Sequence, residues 1–339
     1  MHHGEVEYKH QTARFFRPHL QKALVKHVHL DRLHLSKAFK SIHRDSSSHS
    51  LTIEFLNNAT AQADIILGAD GIHSAVRRAF IPTSSAQWTG HVFFRTVAPR
   101  SHFSHIPNLP DESLHYWAPD RTLFVSPLPQ GLFAVVAAHQ CDPNDPGQQY
   151  LKAGWDGDAD IVVLRELYKD WSPLTRQILD ATPSIKCYPN TAAKELPTWV
   201  LGDGRVTLAG DAAHAHGGAF AAGGSLAIND AWAFAQSVLH FFPRRREAWR
   251  VRLDDDVGVA KVLQLYERTR KAHTDRVQRT VQERNQFLVD QIKTRQLDEE
   301  LREKMRSRRD LTWIHEHDVE AAFESAVRSE QREEREARL

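Results

Sequence analysis

Two stretches of this chain place an aspartate directly after a predicted strand and next to glycine. The first reads ADIILGADGIHSAVRR and delivers Asp70 and Gly71 before a helix that is predicted to begin near Ser74. The second reads VTLAGDAAHAHGGAFAAGG, in which Gly210 and Asp211 follow the strand. A carboxylate in such a loop would repel a phosphate, so it is better suited to accept hydrogen bonds from sugar-alcohol hydroxyls.

The second stretch is also unusually rich in glycine and other small residues. Four glycines follow the aspartate: Gly217, Gly218, Gly223 and Gly224. They allow positive φ and let the backbone approach a flat ligand. A helix that is predicted to begin near Ser225, with Ser225 as its N-cap, would direct free N–H groups and a positive dipole end at an electron-rich part of that ligand. A polyol, a pyrophosphate and a ring that becomes anionic on reduction together describe a flavin dinucleotide.

The elements around the loops predict the fold class. Residues 14–30 show the spacing of an amphipathic helix, and Asp64–Leu67 reads as a strand that is apolar on both faces. Short β-rich runs broken by Pro and Gly occupy residues 88–139 and are typical of an antiparallel sheet. The sequence therefore predicts an α/β domain, built from two separate pieces of chain, with an all-β insertion between them.

The two loops carry a resemblance to a known family. GADGIHSAVR and GRVTLAGDAAHAHGGAFAAGGSLAINDA resemble the two downstream FAD motifs of the single-component flavoprotein aromatic hydroxylases, in the salicylate-hydroxylase-like branch. RFFRPHLQKAL is similar to the family's Arg-x-x-Leu helix, in which Arg17 would contact FAD. GHVFFRTVAP is similar to the first strand of its substrate sheet and contains Arg95. The resemblance covers roughly residues 12–290.

The resemblance implies a domain organisation and an activity. Residues 1–85 and 197–290 would form the three-layer FAD-binding domain, residues 86–196 the substrate-binding β-sheet domain, and residues 291–339 charged C-terminal helices. The cofactors would be FAD and NAD(P)H, and O2 would hydroxylate an aromatic or polyketide-like small molecule in secondary metabolism or aromatic degradation. Asp70, Gly71, Gly210, Asp211, Gly223 and Gly224 would bind FAD.

Arg95 is the candidate catalytic residue, because a cation beside a phenol favours the phenolate, which is the better nucleophile. Relatives that hydroxylate phenols often pair this arginine with a tyrosine on a neighbouring strand. Ser126 stands about where that tyrosine would be. An ion-paired arginine on a half-exposed strand is the alternative interpretation of Arg95.

One family motif is missing from the sequence. The strand–Gly-x-Gly-x-x-Gly–helix unit for the pyrophosphate has no counterpart, and the single Gly-x-Gly, at residues 202–204, precedes a strand instead of following one. Two explanations stay open. The chain is an N-terminally truncated form of a longer enzyme that lacks the first βαβ unit, or it is a degenerate flavoprotein without catalytic activity.

Composition sets the remaining expectations. The formal net charge of +1 gives no reason to expect nucleic acid or an anionic membrane as partner. No apolar run approaches about 20 residues, which predicts no membrane span, and the two cysteines suit a reducing, cytoplasmic setting. His214 and His216 lack a third ligand at sensible spacing, so no metal site is predicted. A hydrolase with Ser225 as nucleophile is disfavoured, because no strand immediately precedes that serine.

Overall fold

The computed structural model describes residues 13–44, 50–118, 120–141, 157–218, 222–243, 256–292 and 312–338, and the side chains of the helix that starts at residue 256 are described as far as residue 283. The chain divides into two compact units, each assembled from three stretches. The first unit contains residues 1–33, 88–190 and 284–310, and the second contains residues 34–87, 191–283 and 311–339. The sequence-based assignment of domains to FAD and substrate binding stays a prediction.

The strands within the described ranges are, in chain order, β1 (Phe39–Arg44), β2 (Leu51–Phe55), β3 (Thr60–Ala63), β4 (Ile66–Gly68), β5 (Ala86–Pro99), β6 (Leu114–Trp117), β7 (Arg121–Leu128), β8 (Leu132–Gln140), β9 (Gly157–Ala159), β10 (Ile185–Ala193) and β11 (Val206–Leu208). The α-helices are α1 (Arg17–Val25), α2 (Ala75–Phe80), α3 (Ile161–Leu167), α4 (Pro173–Ala181), α5 (Asp211–His214), α6 (Gly223–Phe241), α7 (Asp256–Ile292) and α8 (Val319–Glu336).

A six-stranded sheet in the order β6-β7-β8-β5-β10-β9 organises the first unit. The pairs β6–β7, β7–β8, β8–β5 and β9–β10 are antiparallel, which confirms the antiparallel insertion expected from the sequence. Alternation along β5 buries Val92, Phe94, Thr96 and Ala98 on one face of the sheet. Helices α3 and α4 contribute Leu164, Leu179 and other apolar side chains to the same core.

The second unit contains two small sheets. Strands β1, β2 and β3 form an antiparallel meander, and β11 pairs with β4 in parallel. The core around the parallel pair includes Trp199, Leu208 and Tyr266, all of them fully buried. The predicted apolar strand at Asp64–Leu67 is therefore present, displaced to Ile66–Gly68.

Helix α1 differs from the expectation of an amphipathic helix over residues 14–30. It is limited to Arg17–Val25, with Pro18 in its first turn, where proline favours a helix start. None of its residues is buried, and Leu24 and Val28 are 54% and 44% exposed. The four-residue spacing of apolar side chains predicted the helix correctly, but the described residues do not cover its apolar side.

Two absences hold for the part of the chain that the structure describes. None of its helices combines the length and apolar character needed to cross a bilayer. Its His, Cys, Asp and Glu side chains form no group of three or more that could hold a metal ion.

Two histidines of the second unit stack where residues 312–318 meet α7. The rings of His273 and His317 lie 3.8 Å apart at 9°, and neither Nε2 has a hydrogen-bond partner among the described residues. Burial, together with His317 and the cations Arg270 and Arg276, lowers the pKa of His273 to about 3. Burial and Arg270 lower the pKa of His317 to about 4, against a small opposing effect of Asp318.

The pair predicts acid sensitivity. Both folded pKa values lie below the unfolded value of about 6.5, so the unfolded chain takes up protons first and stability is lost as pH falls below about 6.5. We expect the melting temperature to drop between about pH 7 and about pH 5, and His273→Phe to flatten that drop. Substitution of the exposed His102 by Phe is the control. An equal drop in wild type and His273→Phe would remove the pair as its source.

Candidate functional site

The two loops singled out from the sequence begin side by side. In the parallel pair, Gly68 of β4 lies opposite Leu208 of β11, and Ala209 N–H donates to the Gly68 carbonyl at 2.9 Å. Parallel neighbours end at the same edge of a sheet, and ligands of open α/β sheets collect at that edge. The loops that carry Asp70 and Asp211 thus start from the same edge of the parallel pair.

In the first loop, the Asp70 carboxylate is occupied by the helix that follows it. Its Oδ1 accepts from Ser74 Oγ at 2.5 Å, and its Oδ2 accepts from the N–H groups of Ala75 and Val76 at 2.7 and 3.1 Å. Ser74 is the N-cap of α2, which begins where the sequence predicted a helix. Asp70 thus holds the start of α2, and Gly71 turns the chain with φ of +78°. A role of these two residues toward FAD stays a prediction, and these contacts favour one exerted through the shape of the loop.

Arg77 ties the two loops together. Only 1% of this residue is exposed, and its guanidinium donates to the carbonyls of Ile72 in the first loop and Ala212 in the second, at 2.5 and 2.8 Å. Burial lowers its pKa, while the Asp70 carboxylate opposes that shift. Sequence reasoning missed this contact, which spans 135 positions.

In the second loop, Gly210 adopts a backbone conformation that is available almost only to glycine. Its φ and ψ are 58° and −141°, and it is the N-cap residue of α5. Asp211 follows as the first residue of α5, and it is exposed although Gly210 and Ala212 on either side are buried. No other described residue makes a hydrogen bond or ion pair with its carboxylate. The loop therefore presents an unengaged carboxylate at the strand end.

The glycines after Asp211 divide into two kinds, which corrects the sequence interpretation. Gly217 and Gly218 have positive φ, of 77° and 68°. Gly223 and Gly224 do not, because they are the first two residues of α6. The helix thus starts before Ser225, whose hydroxyl donates to the Ala222 carbonyl and caps nothing. Residues 219–221 of the same loop lie outside the described residues.

The start of α6 is open where the two glycines stand. A Cβ on Gly224 would have no atom of the described residues within 4 Å, and one on Gly223 would lie 3.5 Å from His216 Cε1 and 4.0 Å from Asp211 Oδ1. The packing of the described residues therefore does not require glycine at position 224. The Asp211 carboxylate and the first turn of α6 lie side by side.

A buried charged cluster supports both the loop at Gly210 and the first turn of α6. Asp230 of α6 is fully buried and accepts from Gly210 N–H at 2.8 Å, His214 Nε2 at 2.6 Å and Arg270 Nε at 2.9 Å. Burial would raise the pKa of Asp230, but His214, Arg270 and the Gly210 N–H hold it below its ordinary value. Because a carboxylate only accepts, Nε2 of His214 carries a hydrogen. Sequence reasoning missed this cluster.

The other predicted residues lie in the first unit. Arg17 is the exposed first residue of α1. Arg95 lies on the face of β5 opposite the buried Phe94, with its guanidinium carbon 5.5 Å from the ring centre of Tyr188 on the neighbouring β10. Phe93 stacks on the same tyrosine at 5.8 Å. Ser126, at the position considered for a tyrosine, is buried and bonded to Ser113. Tyr188, which sequence reasoning missed, is the tyrosine beside Arg95.

Comparison with known proteins agrees with this geometry. A family model described as an FAD binding domain matches residues 176–253, which include Gly210, Asp211 and the start of α6. The chain is 27% identical over 243 residues to a 6-hydroxynicotinate 3-monooxygenase of Bordetella bronchiseptica, covering 69% of this chain and 56% of the relative. A 3-hydroxybenzoate 6-hydroxylase of Aquipseudomonas alcaligenes is 28% identical over 69% of this chain and 65% of its own length. The chain is thus similar to FAD-dependent aromatic hydroxylases, which agrees with the resemblance carried by its two loops.

A solved member of the hydroxylases gives the same fold. The structure of a salicylate hydroxylase substrate complex superposes with a TM-score of 0.71 at 22% identity, covering 91% of this chain and 75% of the other. This confirms the predicted α/β fold class with its antiparallel insertion. The chain spans about half the length of the curated relatives that it matches, 56% and 45% for the first two.

The residues of the second unit suit FAD, the cofactor named in the description of the matching family model. FAD needs acceptors for its sugar-alcohol hydroxyls, and the exposed Asp211 carboxylate is one. Its flat ring packs closely against backbone that carries no side chain, and the open position at Gly224 provides such backbone. The first turn of α6 adds free N–H groups for an anionic group. The donor and acceptor set therefore fits FAD.

Proposed function

We propose that this protein is an FAD-dependent monooxygenase that uses NAD(P)H and O2 to hydroxylate an electron-rich aromatic or polyketide-like small molecule. The observation that carries the proposal is the Asp211 carboxylate, held outward by the positive φ of Gly210 beside the bare first turn of α6. Relatives named for the hydroxylation of 6-hydroxynicotinate and 3-hydroxybenzoate support an aromatic substrate.

The second unit would hold the cofactor. When bound, FAD supplies the redox chemistry that NAD(P)H and O2 require. Asp211 would accept hydrogen bonds from its sugar-alcohol hydroxyls, and Gly223 and Gly224 would let α6 approach it closely. Gly210 sets the direction of Asp211, while Asp70, Gly71 and Arg77 fix the neighbouring loop. Arg17 is kept as a proposed FAD contact from the family motif.

The first unit would orient the aromatic ring. Arg95, Phe93 and Tyr188 share one face of the sheet, which offers a cation and two aromatic rings to a planar substrate. A guanidinium near a phenol stabilises its anion and so lowers its pKa. The ring of a phenolate is richer in electrons than that of the phenol, which favours its hydroxylation.

The activity is tested with the full chain, FAD, NADH or NADPH, and isotopically labelled O2. The substrates are a panel of hydroxybenzoates and hydroxypyridines, and products are identified by mass spectrometry. We expect NAD(P)H consumption and a product that carries one labelled oxygen atom. A chain that binds FAD but yields no oxygenated product from any member of the panel would contradict the monooxygenase proposal and leave a flavin-binding protein.

Substitution of Arg95 tests its role in this reaction. Arg95→Ala should lower the yield of product per NAD(P)H consumed and shift the pH profile for phenolic substrates upward, because the phenolate must then form without the cation. Arg176→Ala, at an exposed arginine of the same unit, is the control. Unchanged coupling and an unchanged pH profile in Arg95→Ala would remove Arg95 from the mechanism.

A further inference from the structure

We infer that Asp230 is a positioning residue for the cofactor site, because it fixes the backbone of Gly210 and, through it, the direction of the Asp211 carboxylate. The inference rests on the proposed FAD binding and names the group that prepares the site for it. Asp230 lies seven residues beyond Gly223 on α6, so it faces the strand end from behind the first turn of that helix.

One carboxylate oxygen of Asp230 holds both ends of α5. Its Oδ2 accepts from the N–H of Gly210, the N-cap, and from Nε2 of His214, the last residue of the helix. This four-residue helix carries Asp211 at its first position. With both ends bound to one atom, the helix has little freedom to turn its exposed carboxylate away.

The second oxygen connects the same carboxylate to the start of α6. Arg270 of α7 donates to Oδ1 at 2.9 Å through Nε, and its Nη2 lies 3.4 Å from the Leu226 carbonyl in the first turn of α6. One helical turn earlier on α7, Tyr266 donates to the Leu208 carbonyl at the end of β11. The cluster thus joins the strand end, α5 and the bare turn of α6.

The energetics favour a geometric role over a merely stabilising one. Asp230, His214 and Arg270 are at most 1% exposed, so each of these polar side chains loses its hydration. A buried ionic cluster of this kind is often no more stabilising than apolar residues of the same volume. What the cluster does supply is a fixed geometry, because three donors, two at the ends of α5 and one on α7, must all point at one carboxylate. Gly210 depends on this fixed geometry, because its backbone conformation is sparsely populated and persists only where the surrounding structure holds it.

Asp230→Asn tests the inference with little change in volume. The asparagine side chain keeps one acceptor oxygen, but its NH2 group would face an N–H donor. At least one of the three donors therefore loses its acceptor. We expect the FAD dissociation constant to rise at least about tenfold, at a temperature where the variant is folded. In the chain without FAD, the Gly210 amide should exchange its hydrogen faster than in wild type. Asp275→Asn, at an ion pair on α7, is the matched control.

A pair of variants at His214 keeps the test valid if Asp230→Asn does not fold. His214→Gln retains an N–H donor near the position of Nε2, whereas His214→Leu removes it. We expect His214→Gln to keep Gly210 exchange and FAD affinity near wild type, and His214→Leu to show faster exchange at Gly210 and weaker FAD binding.

Two outcomes separate this inference from the proposed function. A wild-type chain that binds no FAD would defeat the proposed function, and Gly210 exchange without ligand would still measure what Asp230 does. Variants that melt at lower temperature but keep wild-type FAD affinity and wild-type Gly210 exchange would overturn the positioning role.

Discussion

Replacing Gly224 with valine is expected to weaken FAD binding by about tenfold to a hundredfold without destabilising the protein. A Cβ at this position meets no atom of the described residues within 4 Å, so they leave room for the side chain. A ligand that packs closely against Gly224 would clash with the valine side chain. Overfilling a packed contact in this way costs about 1–3 kcal/mol. The helix propensity of valine is also more favourable than that of glycine, by about a few tenths of a kcal/mol. Affinity and stability should therefore change in different directions.

The measurements are an equilibrium FAD titration and a thermal melt of the same preparation. Ala231→Val is the matched control, because Ala231 is exposed, lies on the same helix and is seven residues, or about two turns, further along the same face. It should leave FAD affinity unchanged. If Gly224→Val binds FAD as tightly as Ala231→Val does, the cofactor does not approach the start of α6.

Asp211→Ala is expected to weaken FAD binding by about tenfold to more than a hundredfold. Hydrogen bonds to a charged acceptor contribute about 1.5–3 kcal/mol each, and the alanine cannot accept any. The exposed carboxylate has no partner among the described residues, so its loss should cost the fold little beyond a helix-dipole effect of about 0.3–1 kcal/mol. Asp211→Asn, which keeps one acceptor, should lie between wild type and alanine.

The choice of ligands sharpens the Asp211 test. FMN contains the sugar alcohol but not the adenosine half, so Asp211→Ala should weaken FMN and FAD by a similar factor and leave adenosine diphosphate unaffected. Asp203→Asn is the control, because Asp203 is an exposed aspartate of the same unit whose positive φ asparagine tolerates. Equal FMN affinity in wild type and Asp211→Ala would mean that Asp211 does not bind the sugar alcohol.

The parts of the site that local sequence determines were predictable. An apolar run ending in a glycine and an aspartate predicted the ends of β4 and β11, and the sequence around Ser74 predicted the start of α2, because strand ends and helix starts depend on a few adjacent residues. The meeting of the two ends followed from the preference of α/β folds for one binding edge.

The features that depend on distant contacts were not predictable. Arg77 and Ala212 are 135 positions apart, and Asp230 and Arg270 are 40 apart. Neither pairing follows a local period, so the buried cluster behind Gly210 left no signal that a single sequence could reveal. Tyr188 was missed for the same reason, since only the order of strands in the sheet makes β10 the neighbour of β5.

An error arose where local rules compete. The expectation that α6 begins at Ser225 gave weight to serine as a cap, but the helix begins at Gly223, and Ser225 bonds within the first turn. Asp70 stays a candidate FAD residue, and its carboxylate also holds the start of α2.

The most direct test of the account is an equilibrium titration of FAD fluorescence with the full chain and with its Asp211→Ala and Gly224→Val variants. We predict a saturable change that corresponds to one FAD per chain in wild type and is much weakened in both variants. A wild-type chain that leaves FAD fluorescence unchanged, or variants that bind FAD as wild type does, would contradict the claim that the strand-end loops and the start of α6 form the flavin site.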